Sequence, residues 1–192
     1  MKRTHGTMLA AAAVALALAG CGSPPKENFY TLSSPATPLP AAGASPVTVY
    51  VGPVTVPESV DRTPMVLRTS PNQVDIDDGN RWAEPLKTAI PRVIAETLMR
   101  ELGTPRVMAS RGGSIAVPDF RVAIEIQRFE SSLADGATID ALWSVVPAKG
   151  GAPRTGRSLV AEPAATRDPA GVAAAHSRAL ARVARDIAAA MK

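Results

Sequence analysis

One cysteine in 192 residues, Cys21, does most to limit what this chain can become. With no second thiol, no internal disulfide can form even in an oxidising compartment, so the fold must cohere by packing alone. The same residue closes a leader. Lys2 and Arg3 supply a positive start, Met8 to Ala19 an apolar run, and Leu18-Ala19-Gly20 the residues before the cleavage point. Residues 1–20 therefore read as a secretory signal peptide, with Cys21 as the residue acylated after cleavage. A run of about a dozen apolar residues is too short for the roughly 20 that a bilayer-spanning helix requires. Burial of acyl chains contributes about 0.8 kcal/mol per methylene, and two or more chains hold a protein on a bilayer in effect permanently. Gly22 is not the aspartate that signals retention at the inner membrane. The expected location is the outer membrane, lipid-anchored and facing the periplasm.

Loss of the leader removes Lys2 and Arg3 and no acid, leaving 19 basic residues against 17 acidic ones from totals of 21 and 17. Binding to nucleic acid by counterion release needs clustered Lys and Arg, and no cluster with interleaved aromatics occurs, so nucleic acid is not an expected partner. The remaining length suits one domain that folds without staples. Residues 21–46 form a lipidated N-terminus and tether, rich in Pro, Ser, Ala and Gly, a composition that favours extended chain. One island interrupts it: Asn28-Phe29-Tyr30-Thr31-Leu32 has the aromatic and β-branched content of a short strand. Were that island docked, the free leash would be Gly22 to Glu27, reaching roughly 20 Å at about 3.1 Å per residue.

The domain spans 47–192. Val47, Val49 and Val51 alternate with polar or small residues as in a half-buried strand, which Pro53 and Pro57 limit to a first or edge piece. Met65–Arg68 and Gln73–Ile76 flank Ser70-Pro71-Asn72 and read as a hairpin. Asp77-Asp78-Gly79-Asn80 reads as a turn leading to Trp82. Leu86, Ile90, Val93, Ile94, Leu98 and Leu102 recur at helical spacing after Pro85, with a kink expected at Pro91 and closure at Gly103 and Pro105. Phe120 to Gln127 and Ile139 to Val145 alternate as an antiparallel pair, and Thr155–Glu162 adds a third strand. Asp168-Pro169 opens a second helix whose apolar stripe runs from Val172 to Met191, with Arg182 and Asp186 at i,i+4 spacing on its polar face. The fold class is α+β, a mostly antiparallel sheet of about five or six strands with two main helices packed on one face.

Little in this chain can carry chemistry. His176, the one histidine left after cleavage, reads as a solvent-edge or partly packed helix residue, because no cysteine, second histidine or carboxylate pair makes a metal site or triad with it. Asp75, Asp77 and Asp78 do not follow the calcium-loop pattern, since Gly79 stands where a ligand belongs, and Gly112-Gly113-Ser114 has no phosphate-loop lysine. No serine has a base to activate it. No catalytic residue, metal or cofactor is expected. Arg178, Arg182 and Arg185 form a solvated helix face or a face for an acidic partner or lipid headgroups. Trp82 is a packing lid or a binding hot spot.

The order of Cys21, Phe29-Tyr30-Thr31-Leu32, Val51-Gly52-Pro53-Val54, Val56-Pro57-Glu58-Ser59-Val60-Asp61-Arg62, Met65-Val66-Leu67-Arg68 and Asn80-Arg81-Trp82-Ala83-Glu84-Pro85-Leu86 resembles the ABC-type transport auxiliary lipoproteins, the PqiC-like family. The likeness continues through Phe120-Arg121-Val122 and Arg128-Phe129-Glu130 to Trp143. It implies a non-catalytic outer-membrane lipoprotein that docks a periplasmic MCE-domain protein of an ABC-type intermembrane lipid transport system. It also permits a homo-oligomer. Lipidation carries over to Cys21, and Asn80, Arg81 and Trp82 are the candidate partner contacts. The rival from another class is a periplasm-facing lipoprotein that itself binds a lipid or other apolar ligand.

Overall fold

The computed structural model describes residues 26–34, 38, 45–109 and 117–191. The leader, Cys21 and Gly22, and the Gly112-Gly113-Ser114 stretch lie outside the described residues. The fold is α+β, but among the described residues the sheet has eight strands and is mixed, which corrects the expected count and the mostly antiparallel pattern.

Its spine is β6 (Phe120–Ser132), where buried Val122, Ile124 and Ile126 alternate with exposed Arg121, Glu125 and Gln127. Strand β7 (Gly136–Pro147) pairs antiparallel along the whole of β6, from Ser132↔Gly136 to Phe120↔Pro147, and β8 (Arg154–Glu162) adds to β7. The opposite edge of β6 is divided. Its first half takes β2 (Val49–Thr55) in parallel, and its far end meets β3 (Pro64–Ser70), also parallel, at Leu67↔Ser131. Strand β4 (Gln73–Trp82) returns antiparallel on β3, while β1 (Asn28–Tyr30) joins β4 and β5 (Val107–Met108) joins β2, both in parallel.

The misjudged parts share one cause. Hairpins announce themselves through short turns, whereas each parallel pair here joins segments far apart in the chain, with no local turn to mark it. Two residues of β5 are too few for any periodicity. Strand β2, expected as a first or edge piece, is flanked on both sides only at Val49 and Tyr50, by β6 and β5, and among the described residues it has β6 as its strand neighbour from Val51 onward. Pro53 is accommodated because the ladder shifts register between Val51 and Val54, the sort of irregularity at which a strand tolerates a missing N–H. The expected turn at Asp77–Asn80 is instead an outward bulge inside β4, where the partner of Pro64 is Arg81 and that of Met65 is Asp77. The Asp77 carboxylate accepts the N–H groups of Gly79 and Asn80, both at 3.1 Å, so the bulged backbone keeps its hydrogen bonds.

Helix α1 (Leu86–Glu101) starts after Pro85 and contains Pro91 on its buried side. Helix α2 (Pro169–Ala189) is capped by Asp168, whose carboxylate accepts the Gly171 N–H at 2.7 Å, with proline at the first helical position. The helices pack on each other and on one side of the sheet. Ile90, Ile94, Leu98, Leu180, Val183 and Ile187 meet Val122, Ile124, Ile139 and Val145 in one continuous core. Each such side chain removed from water contributes about 1.5–3 kcal/mol, and no covalent cross-link shares that task. Polar bonds fix how α2 sits: Trp143 Nε1 donates to Ser158 Oγ at 3.1 Å, and Ser158 Oγ donates to the Asp186 carboxylate at 2.6 Å. Asp186 is thus engaged by the sheet. Arg182, expected to pair with it along the helix, pairs with Glu162 of β8 at 3.2 Å.

The Trp143 ring occupies the space left by Gly156 on the adjacent strand, where an added Cβ would stand 2.2 Å from Cζ2 of the indole. Gly156→Ala is expected to lower stability by about 1–3 kcal/mol through overpacking. A urea unfolding midpoint equal to that of the wild type would show that the ring moves aside freely.

Candidate functional site: the docked N-terminal strand

The residues singled out in the sequence converge on one place, the strip where the chain's N-terminal segment meets the domain. In β1, Asn28, Phe29 and Tyr30 pair with Asn80, Arg81 and Trp82 in parallel register. Asn80 is the hub of this contact. Its Oδ1 accepts from Tyr30 OH at 2.7 Å and from Asn28 Nδ2 at 3.3 Å, while its own Nδ2 donates to Asp77 Oδ2 at 2.8 Å. Arg81 reaches Glu27 at 3.5 Å, and the Ala83 N–H donates to Tyr30 O at 2.8 Å. Burial raises the Tyr30 hydroxyl pKa, and the charges of Asp168 and Asp77 add to it, so this hydroxyl stays protonated and remains a donor.

Beyond β1 the segment crosses the helices. Leu32 is fully buried in the shared core. Its carbonyl accepts from Arg92 Nη2 at 2.9 Å, and Arg92 is itself held by Glu84. The Ser33 N–H donates to Ser177 Oγ of α2 at 3.1 Å, and Ser34 bonds to Glu96 of α1. Residues 28–34 are therefore part of the domain, tied to β4 and to both helices.

Beneath the strip lies an aromatic stack. Trp82 is buried, edge-on to Phe129 at 6.0 Å and to His176 at 5.9 Å, and the Phe129 and His176 rings stack at 3.8 Å. Trp82 thus sits as a packing lid under the strand. His176, expected at the solvent edge or partly packed, has no exposed surface at all, which corrects the sequence reading. The sequence signal was present but easily passed over, because His176 falls on the same helical stripe as Val172, Ala179 and Val183. Its Nε2 lies 2.8 Å from Ser131 Oγ, and Nδ1 has no partner among the described residues. The pair does not make an activated nucleophile: both residues are buried, and no carboxylate orients the ring from Nδ1. Burial pushes the imidazole pKa down to about 3. Among the described residues, no group of histidine, cysteine, aspartate or glutamate side chains could hold a metal ion.

The face of the sheet away from the helices mixes paired charges with exposed apolar side chains, Val74, Ile76, Leu142 and Leu159 among them. Arg68 pairs with Glu130 at 2.9 Å, Arg128 lies 3.9 Å from both Glu130 and Asp140, and Arg157 forks onto Asp140 at 2.7 and 2.8 Å. The hydrogen bonds from Arg157 hold the Asp140 carboxyl below its usual range, against the burial that would raise it. Beside this network, Pro53, Thr55, Leu142 and Trp143 line an open groove of about 690 Å³. On α2, Arg178 and Arg182 share the single carboxylate of Glu162 and Arg185 donates to Ala181 O, so the arginine face is tied to the chain but keeps a net positive charge.

With the strand, helices and sheet in place, comparison with known proteins gives a family. The model of the ABC-type transport auxiliary lipoprotein component family matches residues 30–188. The chain belongs to this family. The match starts at Tyr30, so it takes in Leu32 and the crossing segment as well as the sheet and helices. A DUF330 protein of Xanthomonas campestris, known from its crystal structure, is 23% identical, with a TM-score of 0.62 over 84% of this chain and 92% of its own. A second crystal structure, of an uncharacterised protein, is 17% identical, with a TM-score of 0.66 over 87% of this chain and 99% of its own. At these identities the likeness is one of fold. None of the curated proteins matches the chain.

Two outcomes follow from the strip. Leu32→Ala is expected to cost about 2–4 kcal/mol, felt first as release of residues 28–34. Limited proteolysis should then clip the N-terminal segment while the sheet core stays protected, and simultaneous loss of both would contradict a separately docked strand. His176 carries a pH signature. Its folded-state value of about 3 lies below the unfolded value near 6.5. The unfolded chain therefore binds the extra proton, and the contribution is intact above about pH 6.5 and lost at about 1.4 kcal/mol per unit as pH falls towards 3. Stability measured by denaturant between pH 7.5 and 5 should fall by about 2 kcal/mol more in the wild type than in His176→Leu; parallel curves would refute the buried neutral imidazole.

Proposed function

We propose that this chain is an outer-membrane lipoprotein, anchored through acyl chains on Cys21 and facing the periplasm. It serves as the non-catalytic auxiliary component of an MCE/ABC-type intermembrane lipid transport system and docks the periplasmic MCE-domain protein at the outer membrane. Family membership over residues 30–188 is the observation that carries this reading. The docked β1 supports it, because a domain that begins at Asn28 leaves only seven residues back to Cys21 and is held close to whatever Cys21 is attached to. In this proposal Asn80, Arg81 and Trp82 serve the partner indirectly, by fixing the strand from which the leash departs. No described helix is long and apolar enough to cross a membrane, so attachment falls to the acyl chains. The rival reading, a lipoprotein that itself carries an apolar ligand, calls for an enclosed cavity, and the groove at Leu142 and Trp143 is open to solvent.

Palmitate labelling of the native host should mark the wild type and leave Cys21→Ser unlabelled, the variant leaving the outer-membrane fraction. Gentle detergent extraction should recover the MCE-domain protein with the wild type. An unmodified thiol by intact mass, or a wild type that brings down no MCE-domain protein, would sink the reading.

A further inference from the structure

The strand registers decide which way the domain points. Pro64 pairs with Arg81, which pairs with Phe29, and Leu67 pairs with Ser131, so Phe29 lies level with Arg128 and Asn28 with Phe129. Strand β1 runs parallel to β4, away from the β3–β4 hairpin, so the chain before Asn28 leads back towards the end that carries this hairpin and the β6–β7 turn. From Asn28 to Cys21 is seven residues, which reach about 24 Å when fully extended. From the level of Phe129 to Phe120, at the opposite end of β6, is nine residues of strand, about 30 Å. The β7–β8 turn lies beyond Phe120 again, since Phe120 pairs with Pro147. A lipid-anchored Cys21 can therefore bring the hairpin end to a bilayer but not the opposite end.

The two ends differ in charge. The hairpin end carries Asp75, Asp135 and Asp168 beside Arg167, all exposed. The opposite end exposes Arg106, Arg121, Lys149 and Arg154 beside Glu101 and Asp119. Asp119 is occupied by Thr48 at 2.8 Å and by Lys149 at 3.1 Å. Arg121 lies over the Tyr50 ring at 5.9 Å and keeps its charge towards solvent.

We infer that the membrane-distal end formed by the start of β6 and the β7–β8 turn is the docking surface, and that it receives an acidic face of the periplasmic partner. This inference rests on the anchoring and partner proposed above and adds to them the orientation and the contact. Complementary charge at such a rim steers association and fixes register, and its effect weakens with salt.

The test uses the full lipidated chain in vesicles of phosphatidylethanolamine and phosphatidylglycerol. A fluorophore on Asn72→Cys, in the hairpin turn, should be quenched several-fold more by headgroup-labelled lipid than one on Ala152→Cys, in the opposite turn; equal or reversed quenching overturns the orientation. The purified periplasmic region of the MCE-domain protein should bind the wild type in a salt-sensitive manner. Arg106→Glu with Arg154→Glu should lower that affinity at least tenfold, the two Arg→Lys changes should preserve it, and Asp75→Lys with Asp135→Lys should alter it less than twofold. Undiminished binding by the Arg→Glu pair, with melting unchanged, overturns this inference alone. Wild-type vesicles that bind no MCE-domain protein mark the failure of the functional reading, and the docking surface falls with it. If the Cys21→Ser chain, which lacks the acyl anchor, binds anionic vesicles and loses that binding on Arg106→Glu with Arg154→Glu, while binding to the MCE-domain protein is kept, the basic end belongs to lipid and the protein partner is overturned.

Discussion

Everything in this molecule depends on burying one face of one sheet. With a single cysteine there is no cross-link to hold the elements, and the continuous core beneath α1 and α2 is what keeps eight strands in one sheet. The distribution of polar groups follows from this. The helix-covered side admits only polar atoms that find partners, such as Ser158 between Trp143 and Asp186, while the uncovered side keeps its charges paired across strands, from Arg68 to Arg157. The Nδ1 of His176, without a partner among the described residues, is the exception on this side.

The N-terminal segment converts this packing into position. A tether that simply hung from the domain would leave its orientation free. Here Leu32 is built into the core, and Asn80 gathers Tyr30, Asn28 and Asp77 around one amide, so the point of departure is as well defined as the sheet itself. The bulge at Asp78–Asn80 has a visible purpose in this arrangement. By lifting Asn80 out of the β3 pairing it places the amide where β1 can use it, and Asp77 repairs the backbone hydrogen bonds that the bulge interrupts. The residues of the Asn80–Trp82 run that resemble a recognition motif thus secure the chain's own N-terminal strand, Asn28–Tyr30.

Much of this was legible in the residues. The long alternating strands β6 and β7, the hairpin β3–β4, both helices with their proline starts, and the strand potential of Asn28–Tyr30 all carry local signals: period two, period 3.6, and turn or cap residues at the right offsets. The site was legible in part. Asn80, Arg81 and Trp82 stood out, but what they touch did not, because their partners lie some 50 residues earlier and no periodicity links the two stretches. His176 was placed wrongly because a polar residue on an apolar stripe is ambiguous until the opposing surface, here Phe129 and Trp82, is known.

By itself the sequence determined the α+β class, the impossibility of an internal disulfide, and the scarcity of groups able to do covalent chemistry, since each of these depends on residue type and near-neighbour spacing. Only the tertiary structure decided the parallel pairings, the division of one edge of β6 between β2 and β3, the burial of His176, and the direction in which β1 joins the sheet. Those are outcomes of long-range packing, in which segments distant along the chain compete for the same hydrogen-bonding edge and the same apolar surface, and local preference says nothing about which will win.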